Sequence, residues 1–396
     1  MKLLPVAEAR ARMLAEIAPL GAETVALEAA ICRVLAADVS ARRDQPPFDA
    51  SAMDGWAVRS ADTPGRLTIV GESAAGHGYA GALSPGQAVR IFTGAALPSG
   101  ADSVVIQEDA RRDGDVVEVP GAEPLRHLRP RGGDFRSGDR LLSQGQRLDP
   151  WRLSLAASAG LAEVAVARSP RVAILSTGEE IVEAPGEPGP YQIYDSGAPA
   201  LAAMARGWGA TVLRTRPVRD DLEAVVTALR AAEADLVVTV GGASVGDHDL
   251  VRAAAETLGL SLKVASVAVR PGKPTFFGVL GDGRRLLGLP GNPASAFVCA
   301  ELFLKPILDA CQGAAEGFAT RSARTAVALE ANGPREHWMR ARLDVADGVL
   351  TVRPYGDQDS SLVSIFAGAD ALLRRAPDAP AAAAGETVEV LPLRRA

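Results

Sequence analysis

Residues 172–177 read VAILST, and residues 236–240 read LVVTV. Both are continuous apolar runs that glycine follows directly, which is typical of strands buried on both faces. A third apolar run, RLLGL at 285–289, ends just before a proline and a glycine. Helical patterns occupy the intervals between these runs. Strands that alternate with helices predict an α/β domain with a mostly parallel sheet.

The sequence on either side of this unit has a different pattern. From about 45 to 150, short β-branched runs between Gly/Pro turns predict a β-rich subdomain inserted in an otherwise helical N-terminal region. Residues 312–322 are small and polar and suit a linker, and short strands beyond them predict a small all-β barrel. We therefore expect domains at 1–169, 170–312 and 323–396.

Two local patterns refine these expectations. Met13, Leu14, Ile17 and Leu20 recur at helical spacing, so the first twenty residues predict one amphipathic helix. Farther on, LKVASVAV at 262–269 predicts one strand of the central sheet.

Composition argues against several classes of protein. The formal net charge is −6 and aromatic residues make up 4% of the chain, so a nucleic-acid binder with a basic or stacking surface is not expected. The cysteines are scattered and do not suggest a disulfide framework, and the four histidines are too far apart for a local zinc site. Charges interrupt the first twenty residues, and no apolar stretch approaches the ~20 residues of a membrane span. We expect a reduced, cytoplasmic protein.

The loop after the 236–240 run, GGASVGDHD, contains chemistry suited to phosphate. Glycines let backbone N–H groups surround an anion, and Asp247 and Asp249 offer the hard oxygen ligands that Mg²⁺ prefers. The alternative is a plain strand-to-helix turn in which Asp249 is the helix N-cap. Both interpretations remain open from the residues alone.

Two further segments suit anions, and each also has a structural interpretation. Asn292 and Pro293 begin a helix whose free N–H groups attract anions, although a helix start is often only structural. In the segment RPGKP, the cations Arg270 and Lys273 stand on a stiff backbone, which suits a small oxyanion. A solvated surface turn is its alternative.

Several uncommon strings occur in the order found in one family. They are SAMDGWAV (51–58), RIFTGAALPSGADSVVIQED (90–109), RPRGGDFRSGD (129–139), VAILSTGEEI (172–181), YQIYDSGA (191–198), GGASVGDHD (241–249), RPGKP (270–274) and GLPGNPASA (288–296). With these strings the chain resembles the molybdopterin molybdenumtransferases, which are related to the C-terminal domain of gephyrin. The tail, from REHWMRARL (335–343) to QDSSLVSIFAGADALL (358–373), extends the resemblance over essentially the whole chain.

The resemblance implies the last step of molybdenum cofactor assembly. Molybdate is inserted into adenylylated molybdopterin, and AMP is released with the help of Mg²⁺. It also implies an elongated homodimer in which one subunit's β subdomain completes the other's site. An upstream adenylyltransferase and downstream molybdoenzymes are the expected partners.

The resemblance also implies roles for individual residues. Those with catalytic roles are Asp54, Asp134, Asp249 and Lys273. Those that bind substrate are Thr93, Glu180, Asp195, Asp220, Gly241, Gly242, Ser244, Gly246, Arg270, Ser295, Arg340, Ser360 and Ser361. The implied Mg²⁺ ligands are Asp247 and Asp249. Molybdate would lie against Arg270, Lys273 and Ser295, helped by Arg340 and by Ser360 or Ser361 from the C-terminal domain. Asp54, Thr93 and Asp134 would reach the site from the partner subunit.

Four positions depart from the family pattern. Arg270 replaces a usual lysine, and a planar guanidinium binds a tetrahedral anion differently from a point charge. Val240 replaces a common Ser or Thr and removes a potential hydroxyl contact to phosphate. Trp56 and Gly197 replace a common Tyr and Asn. None of these departures removes a charged residue from the expected site.

Two other functions remain as alternatives. A molybdopterin adenylyltransferase would share the α/β domain, but such proteins usually stand alone and carry a Gly-Gly-Thr-Gly loop where this chain has Gly-Gly-Ala-Ser. A non-catalytic cofactor-binding scaffold would use the same cleft, but the intact acidic and basic loops favour an enzyme.

Overall fold

The fold was analysed in a computed structural model that describes residues 3–214, 217–242, 250–315 and 317–393. The central sheet has the strand order Thr211–Arg214, Arg171–Ser176, Leu236–Val240, Arg285–Leu289, Phe276–Val279, Ser261–Val264. The first four strands are parallel and the last two are antiparallel to their neighbours. The expected mostly parallel sheet is confirmed.

Both faces of this sheet are buried, which explains the continuous apolar runs. Val172 and Ile174 belong to the core on one face, and Ala173 and Leu175 belong to the core on the other. The covering helices are Gly197–Gly207, Leu222–Ala231, Leu250–Thr257, Pro293–Cys299 and Lys305–Cys311. Asp221 begins the second of them as an N-cap that accepts a hydrogen bond from the Ala224 N–H at 2.8 Å.

A π-helical segment, Ala300–Leu304, joins the last two helices and buries the carboxyl group of Glu301. Burial raises the pKa of Glu301 from about 4.5 to about 7, an effect that Lys305 opposes and Asp309 reinforces. An acid whose folded pKa is raised loses stabilising free energy as pH rises from the unfolded pKa through the folded one. This carboxyl group should therefore destabilise the fold increasingly as pH rises from about 4.5 to about 7, and fully above that range.

We expect the substitution Glu301→Gln to raise the free energy of unfolding by about 3 kcal/mol at pH 8 and by less than about 1 kcal/mol at pH 5, because glutamine has no charge to bury. Urea unfolding at the two pH values measures the difference. Glu28→Gln removes an exposed carboxylate and is the matched control. An equal effect of Glu301→Gln at both pH values would contradict this expectation.

In the N-terminal region, three strand pairs join segments that precede the subdomain's sheet to segments that follow it. Strand Ala22–Ala26 pairs with Glu163–Ala167, Val39–Ser40 with Arg140–Leu142, and Ala50–Ser51 with Leu128–Arg129. The subdomain's own sheet has the strand order Ser103–Ile106, Gly55–Val58, Gln87–Ile91, Gly65–Ser73, Val116–Val119, Arg111–Asp113. Single 3₁₀ turns lie at Leu27–Ala29, Ser60–Asp62 and Gln107–Asp109, and a helix at Pro150–Ser158. The β-rich subdomain expected from the sequence is therefore present.

The first helix is shorter than predicted, because it spans only Val6–Leu14. Beyond it the chain turns, and Leu20 donates its backbone N–H to the Cys311 carbonyl oxygen at 2.7 Å. Ile17 and Leu20 still pack against the central core, so their apolar spacing reflects burial without a continuous helix.

The C-terminal barrel is closed. Within residues 317–393, all of them described, the strands Arg321–Thr325, Glu336–Ala346, Val349–Pro354, Ala371–Arg375 and Thr387–Pro392 form a ring in which Glu336–Ala346 pairs with both Val349–Pro354 and Ala371–Arg375. A helix, Val363–Gly368, lies between two of them. The prediction of a small all-β barrel is confirmed.

The predicted single strand at 262–269 is wrong. The chain forms Ser261–Val264 in the central sheet, leaves that sheet, and forms Val269–Arg270 alongside the barrel strand Glu336–Ala346. Arg270 lies in register with His337. This change of sheet brings the segment 270–274 to the barrel. A smaller parallel pair, Ile181–Val182 with Ile193–Tyr194, lies beyond the central sheet.

Candidate active site

A cavity of about 790 Å³ lies at the carboxyl ends of the parallel strands, and we call it the strand-end cavity. Three loops that follow those strands line it, through Ser176–Gly178, Gly241–Gly242 and Pro290–Pro293. Parallel strands place their carboxyl ends at one edge, where ligands bind in open α/β sheets. The structure thus brings together two segments that the sequence analysis singled out, the described part of the loop after Leu236–Val240 and the helix start at Asn292 and Pro293.

Three predicted carboxylates, Glu180, Asp195 and Asp220, also line the strand-end cavity. Asp195 accepts hydrogen bonds from Ser176 Oγ and from the Ala198 N–H, both at 3.0 Å. The second bond lies at the start of helix Gly197–Gly207, so Asp195 also stabilises that helix.

The glycine pair at the end of strand Leu236–Val240 is required by packing. Gly241 and Gly242 have φ of +91° and +61°. A Cβ on Gly241 would lie 2.5 Å from the Thr177 carbonyl oxygen, and one on Gly242 would lie 2.6 Å from Val251 Cγ2. The hydroxyl of Thr177 is buried at this wall and has no hydrogen-bond partner in the described part of the chain.

A second cavity, of about 1050 Å³, lies between the segment 270–274 and the barrel, and we call it the cation-lined cavity. The three residues that the resemblance implied as molybdate contacts line it, namely Arg270, Lys273 and Ser295. Neither cation forms an ion pair with a described carboxylate. Barrel cations that the sequence analysis missed line its other wall: Arg335, Arg353 and Arg375. The cavity therefore suits an anion.

The two cavities are adjacent. Pro274 lines both, and the neighbouring residues Ser360 and Ser361 line the cation-lined and the strand-end cavity respectively. The Ala294 N–H donates to the Ser360 carbonyl oxygen at 3.1 Å, and Asn292 Nδ2 donates to Ser360 Oγ at 2.9 Å. One of the helix N–H groups expected to attract an anion is thus already bound to the chain.

Buried residues hold the segment 270–274 in place. Gly272 has φ of +120°, and a Cβ on it would lie 2.2 Å from Cys299 Sγ. Thr275 Oγ1 donates to the Gly272 carbonyl oxygen at 2.8 Å and lies 3.1 Å from Cys299 Sγ. Thr275 and Cys299 are fully buried, so the two cations extend from a fixed backbone.

Arg340 does not line the cation-lined cavity, in contrast to the prediction. It is fully buried, and its Nη2 donates to the Asp359 carbonyl oxygen at 2.9 Å. Burial lowers its pKa, although Asp357 and Asp359 raise it. Successive side chains of a strand point to opposite faces, so Arg340 lies on the face opposite His337 and Met339, which line the cavity. The alternation of side chains along REHWMR could have indicated, from the sequence, that His337 lies on the opposite face of the strand from Arg340.

The predicted residues of the inserted subdomain lie outside both cavities. Asp54 accepts hydrogen bonds from the Thr93 N–H at 2.7 Å and from Thr93 Oγ1 at 2.8 Å, and these bonds lower the pKa of Asp54. Asp134 is exposed, and its N–H donates to the Gln45 carbonyl oxygen. Gly55, which follows Asp54 directly, begins a strand that pairs with Gln87–Ile91 and Ser103–Ile106.

The remaining predicted residues lie outside the described residues: Ser244, Gly246, Asp247 and Asp249. Within the described ranges, no three His, Cys, Asp or Glu side chains converge on a possible metal site. No helix in the described residues is both long and apolar enough to cross a bilayer.

Three family models match successive parts of the chain. The MoeA N-terminal region (domain I and II) matches residues 4–160, a probable molybdopterin binding domain matches 173–310, and the MoeA C-terminal region (domain IV) matches 322–393. These matches follow the N-terminal region, the central sheet and the barrel in order.

Curated proteins and solved structures are similar over most of the chain. Molybdopterin molybdenumtransferase from Nostoc sp. is 37% identical over 86% of this chain and 81% of its own. The protein of that name from Haemophilus influenzae is 34% identical over 98% of both chains. A crystal structure of the molybdopterin biosynthesis MoeA protein from Pyrococcus horikoshii matches the whole of both chains with a TM-score of 0.82 at 31% identity.

Proposed function

Because this chain belongs to the molybdopterin molybdenumtransferase family, a family of transferases in molybdenum cofactor biosynthesis, we propose that it inserts molybdenum from molybdate into adenylylated molybdopterin and releases AMP. The observation that carries this proposal is the adjacency of the two cavities across Pro274. The strand-end cavity would hold the pterin and its nucleotide, and the cation-lined cavity would hold molybdate.

Charge supports this division of the site. Molybdate is a dianion and the pterin carries phosphate, so bringing them together requires compensation of their repulsion. A cation about 4 Å from an anion contributes about 4 kcal/mol at an effective dielectric constant near 20. Arg270 and Lys273 supply such charges, and the fixed backbone beneath them holds the charges in place before the anion arrives.

The proposed chemistry balances without a redox step. Two Mo–S bonds form at the dithiolene while one oxo oxygen leaves as water with the two thiol protons, and molybdenum remains Mo(VI). Cleavage of the phosphoanhydride consumes one water, so the two steps together need no additional reactant. Mg²⁺, if bound by Asp247 and Asp249, would supply charge stabilisation to the departing phosphate.

We further propose that Asp54, Thr93 and Asp134 act from a partner subunit, since they lie outside both cavities of their own chain. A homodimer would bring the inserted subdomain of one copy to the cavities of the other. The domain limits 1–169, 170–312 and 323–396 remain part of this proposal, as does a cytoplasmic location.

Replacement of Lys273 by alanine is expected to raise the molybdate concentration for half-maximal AMP release at least about tenfold, because the change removes from the cavity wall a cation that has no ion-pair partner among the described residues. AMP release from adenylylated molybdopterin, measured against molybdate concentration, tests this. Arg230→Ala removes an exposed cation from the helix Leu222–Ala231 and serves as the control.

An unchanged molybdate dependence in Lys273→Ala would contradict the assignment of the cation-lined cavity. Two related measurements separate the alternative functions, an adenylyltransferase and a non-catalytic scaffold. Consumption of ATP with plain molybdopterin would indicate an adenylyltransferase. Tight binding of molybdopterin without turnover at saturating molybdate and Mg²⁺ would indicate a scaffold.

A further inference from the structure

One imidazole lies among the cations of the cation-lined cavity. His337 lies on the strand Glu336–Ala346, between Arg270 in register on one neighbouring strand and Arg375 in register on the other. It is 8% exposed, and what remains accessible lines the cavity. It is therefore positioned to contact an anion that binds beside Arg270 and Lys273.

The groups around His337 keep its imidazole neutral while the cavity is empty. Burial, followed by the charges of Arg270, Arg340 and Arg335, lowers the pKa of His337 to about 4. Arg375, Arg353 and Lys273 line the same cavity, and its described acidic groups are Glu330, Asp357 and Asp359. No described residue forms a hydrogen bond with either ring nitrogen of His337. Among the described residues the ring thus has an acceptor without a partner, in a cavity whose lining has a net positive charge.

Binding of a dianion changes this balance. A negative charge near an imidazole favours its protonated form, and a bound oxodianion would also compensate the neighbouring guanidinium groups. The imidazolium then donates to the anion, and such charge-assisted hydrogen bonds are stronger than neutral ones. Anion binding and proton uptake by this residue are therefore linked.

We propose that His337 is the proton donor of the cation-lined cavity: it takes up a proton when molybdate binds beside Arg270 and Lys273, and it delivers that proton to the oxo oxygen that leaves as water. The second part rests on the proposed function.

In the proposed insertion, His337 gives up one proton and regains one, so the protons balance. The departing oxo oxygen receives one proton from the imidazolium and one from the first dithiolene thiol, and the Mo–O bond breaks as water forms. The second thiol returns its proton to the neutral imidazole as the second Mo–S bond forms. No electron is transferred, and His337 ends the step as it began it. Proton transfer by a positioned side chain typically accelerates a step by 10²–10⁴-fold.

Calorimetry of molybdate binding tests the first part without turnover. At pH 6, titrations in buffers of different ionisation enthalpy should show uptake of about half to one proton per molybdate bound by the full-length protein. His337→Gln should abolish that uptake. His77→Gln, which removes an exposed histidine of the inserted subdomain, should leave it unchanged.

A spectroscopic measurement on the unsubstituted protein covers the case in which the variant does not fold. The chain has four histidines, so their ring resonances can be followed individually. Molybdate should raise the pKa of one of them by at least about two units, because uptake of half a proton at pH 6 requires that shift of a group whose pKa is near 4. That resonance should be missing from His337→Gln if the variant folds.

The outcomes separate this proposal from the proposed function. Binding with no proton uptake, or with the same uptake in His337→Gln, would overturn the role of His337 and leave the cavity as a molybdate site. Failure of the unsubstituted protein to bind molybdate would overturn both. Uptake that His337→Gln abolishes, together with AMP release slowed at saturating molybdate, would support both parts.

Discussion

Gly272→Ala is expected to weaken molybdate binding at least about tenfold, which corresponds to about 1.4 kcal/mol. The added Cβ would lie 2.2 Å from Cys299 Sγ and 3.1 Å from Val269 Cγ1, and φ of +120° is strained for any residue with a side chain. Neither neighbour has free space, since both are fully buried. The backbone must therefore shift and carry Arg270 and Lys273 away from their positions.

The matched control for this substitution lies in the same cavity. Gly333 lines the cation-lined cavity, its φ is not positive, and a Cβ on it would meet nothing within 4 Å. Gly333→Ala should bind molybdate as the unsubstituted protein does. Cys299→Ala in the Gly272→Ala background should recover part of the affinity, because it removes the nearest atom. Equal molybdate affinities of the two glycine variants, measured by calorimetry, would show that the packing of Gly272 against Cys299 does not position the cations.

Asp309→Ala is expected to lower the free energy of unfolding by about 3–5 kcal/mol, because it removes the carboxylate that compensates the charge of a buried guanidinium. Asp309 Oδ1 accepts from Arg147 Nη2 at 2.7 Å, and its Oδ2 accepts from Lys305 Nζ at 2.6 Å. Arg147 and Asp309 are both buried and join the N-terminal region to the last helix of the central unit. Urea unfolding near pH 7 measures the loss.

An exposed ion pair provides the comparison. Arg66 and Asp113 lie 3.6 Å apart with side chains that are 65% and 83% exposed. Solvent screens such pairs, so Asp113→Ala should cost less than about 1 kcal/mol. Similar losses in Asp113→Ala and Asp309→Ala would mean that the buried pair is not the link between the two regions.

Local sequence pattern was sufficient for the central sheet and for much of the site. VAILST and LVVTV are apolar throughout because both faces of their strands are buried, and that property is readable without any long-range contact. The prolines and the glycine of the segment 270–274 likewise indicated that its two cations stand on a stiff backbone. The contact between Gly272 and Cys299 could not be predicted from the sequence, because it joins positions far apart in the chain.

The errors arose where long-range pairing decides the structure. Nothing in LKVASVAV marks the point at which the chain leaves one sheet for another, since the second partner is a strand almost 70 residues later. The resemblance implied a role for Arg340 in binding substrate, whereas strand alternation buries Arg340 and presents His337 to the cation-lined cavity. For a residue on a strand, the face is as decisive as the chemical type.

The pairing of Val269–Arg270 with the barrel has a consequence for how the chain could be divided. A fragment cut out at the ends of the α/β unit would retain the strands and the glycine turn at the rim of the sheet. It would lose the edge that anchors Arg270 and the whole opposite wall of cations. If the two cavities bind nucleotide and oxyanion as we propose, excision would separate the two binding functions, and the intact polypeptide would be needed to combine them.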